Sequence, residues 1–199
     1  METRDHNVGA RIGMWLFLLS EILIFGGLFL LYAVYRSKHP ADFHAASLEL
    51  SRFDGTLNTA ILLTSSLTAV LAIFSLQEQN RPRRTVLFLG ATIACGLAFL
   101  VVKGFEWAAK FEHGLYPNAA VLLKRPPGEV LYFGLYFTMT GLHALHVIIG
   151  IGVLSVMVSF VARGKATQER SAGLENAGLY WHLVDIIWIF LFPLFYLIS

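Results

Sequence analysis

The chain has 199 residues, of which 56% are hydrophobic and only 14% charged, and its mean hydropathy is +0.64. Soluble domains contain about 25% charged residues, so this chain lacks the polar surface needed to coat a globule. The net charge of +2 indicates no nucleic-acid partner. A single cysteine, Cys95, excludes an intrachain disulfide. The composition indicates an integral membrane protein.

Five continuous apolar segments are long enough to cross a bilayer, since a membrane-spanning helix needs about 20 residues. They cover about 12–35, 57–77, 85–108, 130–161 and 177–198. A membrane β-barrel would instead show segments of about 10 residues with alternating polarity. We therefore expect one all-α domain over residues 1–199, a polytopic membrane helix bundle with five transmembrane helices.

An odd number of spans places the two termini on opposite sides of the membrane, and the positive charges then set the orientation. One side carries Arg4, Arg11, Arg81, Arg83, Arg84, Arg163, Lys165 and Arg170. The other side carries Arg36, Lys38, Arg52, Lys110, Lys124 and Arg125. The first side, which includes the N-terminus, carries more positive charges than the second. This difference, together with the compact "RPRR" connection, predicts a cytoplasmic N-terminus and a periplasmic C-terminus.

A carboxylate, Glu21, lies near the centre of the first segment, in "LLSEILIF". Ionisable groups at membrane depth are costly, and each is therefore a hypothesis for a functional site. Glu21 could exchange protons or contact lipid, or it could be a hydrogen-bonded residue that pins two helices together. The sequence alone leaves both interpretations open.

Three charged residues cluster near the end of the third segment, in "VVKGFEWAAKFEHGL": Lys103, Glu106 and Lys110. Glu106 precedes Lys110 by four residues, the favourable direction for a helical ion pair. The pattern predicts an interfacial ion cluster, with Trp107 as an anchor at the membrane surface.

Histidines recur at helical spacing in the last two segments. His143 and His146 share one helical face, and His182 and Asp185 repeat the spacing. They could ligate haem or a metal, or they could form a hydrogen-bonded seam in which Asp185 fixes a histidine tautomer. One cysteine and no His-His pair argue against a copper or haem–copper centre. We therefore expect no catalytic or metal-binding residue, and a structural polar seam made of Ser20, Asn58, Thr140, His143, His146, His182 and Asp185.

Taken in order, the motifs resemble subunit III of haem–copper terminal oxidases, the cytochrome c oxidase subunit 3 family, in its five-helix bacterial form. The matching segments are "GMWLFLLSEILIFGGLF", "LNTAILLTSSLT", "GFEWAAKFEHGLYPN", "YFTMTGLHALHVIIGIGVL" and "YWHLVDIIWIFLFPLFYL". They are colinear and cover essentially the whole chain. The longer version of this family has two further N-terminal spans, which form one wall of a lipid cleft.

The resemblance implies a non-catalytic subunit of a proton-pumping complex that reduces oxygen to water in aerobic respiration. The haems and copper would lie in partner subunits, chiefly subunits I and II, beside further small subunits. This chain would stabilise the catalytic subunit, support proton uptake through Glu21 and bind phospholipid, in the bacterial cytoplasmic membrane. Within this resemblance, the glutamate that follows Ser20, which is Glu21, favours cytochrome c as the electron donor.

Three other functions remain alternatives. The chain could be the equivalent subunit of a quinol oxidase or of a nitric oxide reductase complex. It could instead be a haem b-binding anchor, with His143, His146 or His182 as ligands. A small transporter is disfavoured by the odd number of spans and by the lack of an inverted repeat.

Overall fold

The computed structural model describes residues 2–197, with side chains at residue 9 and from residue 12 onward. Within that range the chain forms six α-helices and two short 3-10 turns, and no strand. The helices are α1 (Glu2–Lys38), α2 (Pro40–Ser47), α3 (Arg52–Gln77), α4 (Pro82–Glu112), α5 (Pro127–Ala162) and α6 (Ala172–Tyr196). All except α2 contain a stretch long and apolar enough to cross a membrane, which confirms the all-α bundle with five spans.

The long helices extend into polar sequence beyond the predicted apolar segments. Helix α3 begins at Arg52, because the Ser51 hydroxyl caps it by accepting a hydrogen bond from the Asp54 N–H at 3.3 Å. Helices α4 and α5 begin at Pro82 and Pro127, where the missing N–H of proline costs no helical hydrogen bond. Hydropathy marks the part of a helix that fits in hydrocarbon, while local capping decides where the helix ends.

Helix α2 lies in the polar connection between the first and second apolar segments. Its Phe43 is fully buried and packs edge-on against Tyr132, with ring centroids 5.4 Å apart. Asp42 Oδ2 accepts a hydrogen bond from the Gly128 N–H at 3.1 Å. A Cβ at Gly128 would lie 2.5 Å from Asp42, so only glycine allows α5 to begin this close to α2.

Helix α6 is the central helix and α1 is peripheral. In α6, 56% of the apolar stretch is buried, against 17% in α1. The Trp181 Nε1–H donates to Ser65 Oγ and the Trp188 Nε1–H donates to Thr59 Oγ1, both at 3.0 Å, so α6 runs antiparallel to α3. Two tryptophan indoles thus fix the register of the central helix pair.

Glycines in the left-handed conformation end both α4 and α5. Gly114 and Gly164 each have φ of +67°. After α5, the Lys165 N–H bonds the Phe160 carbonyl at 2.8 Å and the Gly164 N–H bonds the Val161 carbonyl at 3.1 Å. This Schellman arrangement satisfies the last carbonyls and turns the chain sharply out of the helix.

Candidate functional site

Glu21 and His146 form a hydrogen-bonded pair between α1 and α5. Glu21 Oε2 lies 3.0 Å from His146 Nε2, and both residues are more than nine-tenths buried. Glu21 lies about 14 Å along α1 from Ile12, the first residue of the stretch long and apolar enough to cross a membrane, at 1.5 Å per residue. Phe25 packs edge-on against the imidazole at 5.6 Å, and the Tyr180 hydroxyl donates to the His146 carbonyl at 3.0 Å.

Hydrogen-bond geometry limits the protonation states of this pair. His146 Nδ1 lies 2.7 Å from the Leu142 carbonyl oxygen, which can only accept, so Nδ1 carries a hydrogen. His146 Nε2 then either donates to a Glu21 carboxylate or accepts from a protonated Glu21 carboxyl. In both states one proton lies on the line between Glu21 and His146. The pair can therefore hold a proton at membrane depth with no net charge.

Lys103 and Glu106 form a second buried pair, joined to two tyrosines from α5 and α6. The Lys103 ammonium donates to Glu106 Oε2 at 3.0 Å and to the hydroxyl oxygens of Tyr136 and Tyr196 at 3.1 and 2.6 Å. Both hydroxyls donate to Glu106 Oε1, at 2.7 Å from Tyr136 and 2.6 Å from Tyr196. All three ammonium hydrogens and both carboxylate oxygens are thus used, which compensates the burial of both charges.

The structure separates Lys110 from this pair. Lys110 donates to the backbone carbonyl of Glu49, in the connection before α3. The Lys103 and Glu106 side chains are only 3% and 2% exposed, so this pair lies inside the bundle. The oxygens of Glu106 are occupied by Lys103 and the tyrosines, so Lys110 is not its ion-pair partner, while the location of these residues at the membrane interface stays a prediction.

Three residues of the expected polar seam are buried without a hydrogen-bond partner among the described residues: Asn58, His143 and Asp185. The His143 ring is fully buried, with its centroid 5.4 Å from Phe99 and 5.3 Å from Trp188. Asp185 does not orient a histidine here, since no histidine lies within hydrogen-bond distance of its carboxylate.

The other seam residues are dispersed. His182 Nδ1 lies 2.8 Å from Ser66 Oγ, which links α6 to α3. The Thr140 hydroxyl donates to the Tyr136 carbonyl of its own helix at 2.6 Å. Ser20 is exposed on α1 and donates to the Phe17 carbonyl, so it does not join the interior groups.

The sequence interpretation missed the tyrosines. Tyr136 precedes Thr140 by one helical turn, and that spacing could have placed it in the same polar row. The Tyr196 hydroxyl bonds Glu106 across 90 positions of the chain, a contact that spacing along one helix cannot reveal. No group of three or more His, Cys, Asp or Glu side chains among the described residues is arranged to hold a metal ion.

Comparison with known proteins agrees with these features. The sequence model of the family described as Cytochrome c oxidase subunit III matches residues 2–199. A Thermostichus vulcanus protein named Cytochrome c oxidase subunit 3 is 32% identical over 197 residues, covering 98% of this chain and 90% of that protein. A protein of the same name from Pelomedusa subrufa is 35% identical, and the match covers 92% of this chain and 67% of that protein. Another of the same name, from Balaenoptera musculus, is 34% identical, and the match covers 94% of this chain and 69% of that protein. The resemblance in the sequence motifs is thereby confirmed, and the chain belongs to the cytochrome c oxidase subunit III family.

Proposed function

We propose that this chain is the non-catalytic subunit III of a proton-pumping haem–copper cytochrome c oxidase in a bacterial cytoplasmic membrane. In this proposal subunits I and II hold the haems and copper and carry out oxygen reduction. The chain, a single transmembrane domain, stabilises the catalytic subunit and supports proton delivery to it. Its family membership and the names of its relatives support this assignment.

The Glu21–His146 pair is the observation that carries the proton role. A carboxyl and an imidazole lie 3.0 Å apart and share one proton at mid-membrane depth. Glu21 lies on α1, which has the smallest buried share of the five candidate spans, so this helix offers the most surface to a neighbouring subunit or lipid. Release of that proton leaves the pair with one negative charge and its return restores neutrality, so the pair can act as a proton donor and acceptor in the apolar interior.

An apolar groove between α1 and α6 supports a lipid-binding role. The groove has a volume of about 260 Å³ and begins one residue after Glu21, at Ile22. Phe25 and Phe29 line it from α1, and Ile186 and Phe190 line it from α6. A phospholipid acyl chain fits a groove of this chemistry better than any polar ligand, since its walls offer almost no hydrogen-bonding groups.

The replacement Glu21→Gln tests the proton role in the purified oxidase complex. Glutamine keeps the shape and a hydrogen bond to His146, but it cannot take up or release the shared proton. We expect assembly and haem content to be unchanged, and proton delivery to slow or the working lifetime of the enzyme to shorten. Turnover against pH and activity loss during sustained turnover measure these effects. Glu112→Gln, at the exposed end of α4, is the matched control.

Three results would contradict this proposal. Unchanged turnover, pH dependence and lifetime in Glu21→Gln would reduce Glu21 to a packing residue. A stoichiometric haem spectrum from the chain purified alone would support a haem b anchor instead. Activity with quinol, and none with reduced cytochrome c, would favour the quinol oxidase alternative. A two-cysteine copper motif in the neighbouring subunit II would favour cytochrome c.

A further inference from the structure

Asp185 is a buried acid that has no part in the Glu21–His146 pair. It follows His182 by three residues on α6, so the two side chains share one face of the helix, about 4.5 Å apart along its axis. Asp185 is only 4% exposed, and neither of its carboxyl oxygens closes a hydrogen bond within the described residues. An ionised carboxylate with no cation beside it is costly in an apolar interior. The neutral carboxylic acid is therefore the favoured form of Asp185.

A serine on the neighbouring helix lies between this acid and the histidine. Ser66 Oγ, on α3, is 2.8 Å from His182 Nδ1. The same hydroxyl interacts with the Asp185 carboxyl, although the hydrogen bond between them is not closed in this structure. Burial and the Ser66 hydroxyl are the two influences on the Asp185 carboxyl, and burial is the one influence on the His182 imidazole. No charged side chain in the described part of the chain therefore competes for these three groups.

The three residues lead from the interior of the bundle to its outer surface. Asp185 is buried, whereas Ser66 and His182 are partly exposed. The exposed residues one helical turn away from Ser66 and His182 are apolar, and they are Leu63, Val70 and Ile186. We call this outward face the α3–α6 surface. His182 Nδ1 faces Ser66, and Nε2 has no hydrogen-bond partner among the described residues, so Nε2 is the atom at which the three groups can meet a molecule outside this chain.

We propose that Asp185, Ser66 and His182 form a proton relay between the interior of the bundle and the α3–α6 surface. In the resting state the Asp185 carboxylic acid rotates onto Ser66 and donates to its Oγ. The Ser66 hydroxyl donates to His182 Nδ1, and the neutral imidazole carries its hydrogen on Nε2.

Proton transfer along the relay breaks the O–H bond of Asp185 and forms a new O–H bond on Ser66, while the original Ser66 hydrogen moves to His182 Nδ1. The imidazolium then loses its Nε2 hydrogen to a base outside the chain, such as a water or a carboxylate of a neighbouring subunit. Ser66 now donates to the Asp185 carboxylate and accepts from the Nδ1–H, so each group keeps a hydrogen bond. Return of a proton to Nε2 reverses these steps. The relay uses α3 and α6, and it does not depend on the proton role of Glu21 on α1.

Infrared spectroscopy of the purified oxidase complex tests the relay, because a protonated carboxyl absorbs at a different frequency from an ionised one. Asp185→Asn should remove one protonated-carboxyl band, and that band should remain in Glu21→Gln. After transfer to deuterium oxide, Ser66→Ala should slow the deuterium shift of this band by about 100-fold, the low end of what a positioned proton-transfer group contributes. Ser66→Thr keeps the hydroxyl and should restore the rate. Thr64→Ala is the matched control, since its exposed hydroxyl donates to the Ala60 carbonyl of its own helix.

His182→Leu removes the last acceptor and should slow the exchange as much as Ser66→Ala does. If Asp185→Asn does not assemble, Asp185→Glu keeps an acid and should identify the band by shifting it. Four results would overturn the proposal. They are a protonated-carboxyl spectrum that no Asp185 variant changes, exchange in Ser66→Ala as fast as in Thr64→Ala, exchange in His182→Leu as fast as in the unmodified complex, and exchange in Ser66→Thr as slow as in Ser66→Ala, which would give Ser66 a packing role only.

Discussion

Single polar residues in this membrane protein differ in how completely their hydrogen bonds are satisfied. Lys103 and Glu106 have every polar hydrogen and oxygen engaged, whereas His143 and Asp185 are buried with no partner among the described residues. The sequence predicts which residues are unusual at membrane depth, because charge in an apolar run is visible. It cannot predict their partners: Glu21 and His146 are 125 positions apart, and only the packing of α1 on α5 joins them.

The buried Lys103–Glu106 pair gives a prediction about stability. Lys103→Met alone leaves an uncompensated carboxylate inside the bundle, and Glu106→Gln alone leaves an uncompensated ammonium. Each should destabilise the chain by about 3–5 kcal/mol, as for other broken buried ion pairs. The double variant should lose less than the sum of the two, because no isolated charge remains.

Thermal unfolding of the purified complex in detergent measures this coupling, and retention of the chain on the complex provides a second readout. Lys124→Met, at an exposed position, controls for the loss of a lysine. Additive losses in the double variant would show that Lys103 and Glu106 stabilise the bundle independently, against the hydrogen-bonded geometry seen here.

At the scale of elements, hydropathy is enough to find the long helices but not the close contacts between them. Helix α2 is short and polar in sequence, and its burial of Phe43 becomes visible only when it lies against α5. Two glycines lie directly against Trp181, since a Cβ at Gly96 or at Gly150 would lie 2.8 Å from its ring. Several glycines look alike in the sequence, and only the position of the indole distinguishes these two.

Gly96→Ala should therefore destabilise the packing of α4 on α6. The new Cβ would lie 2.8 Å from Trp181 and 3.2 Å from Ile151, so side chains must shift, at a cost of about 1–3 kcal/mol for overpacking. This cost outweighs the gain of up to about 1 kcal/mol in helix propensity. Gly90→Ala is the control in the same helix, since no atom lies within 4 Å of its Cβ position.

The comparison uses the midpoint of thermal unfolding for the two alanine variants side by side. A Gly96→Ala protein as stable as Gly90→Ala would mean that the indole of Trp181 has room to move aside. The contact would then be loose, and glycine at position 96 would have no packing role.

At the scale of the whole molecule, α6 is the most buried span and α1 presents most of its apolar surface outward. Trp15, Leu23 and Leu30 on α1 are each at least 60% exposed, as expected for a helix that contacts lipid or other oxidase subunits. The number of spans and their alternating direction were predictable from hydropathy alone. The orientation in the membrane rests on positive charge, and the structure, which has no bilayer, leaves it as a prediction.

Labelling of introduced cysteines tests this orientation. The background is Cys95→Ser, which removes the single native thiol. Gln79→Cys lies in the connection between α3 and α4, and Lys124→Cys lies in the connection before α5, both at exposed positions. In intact cells we expect a membrane-impermeant maleimide to label Lys124→Cys from the periplasm. Gln79→Cys should react only after permeabilisation, because positive charge holds the "RPRR" connection in the cytoplasm.

Labelling of both variants after permeabilisation confirms that each thiol is accessible, and the unlabelled Cys95→Ser background controls for reaction elsewhere. The reverse pattern would place the N-terminus in the periplasm.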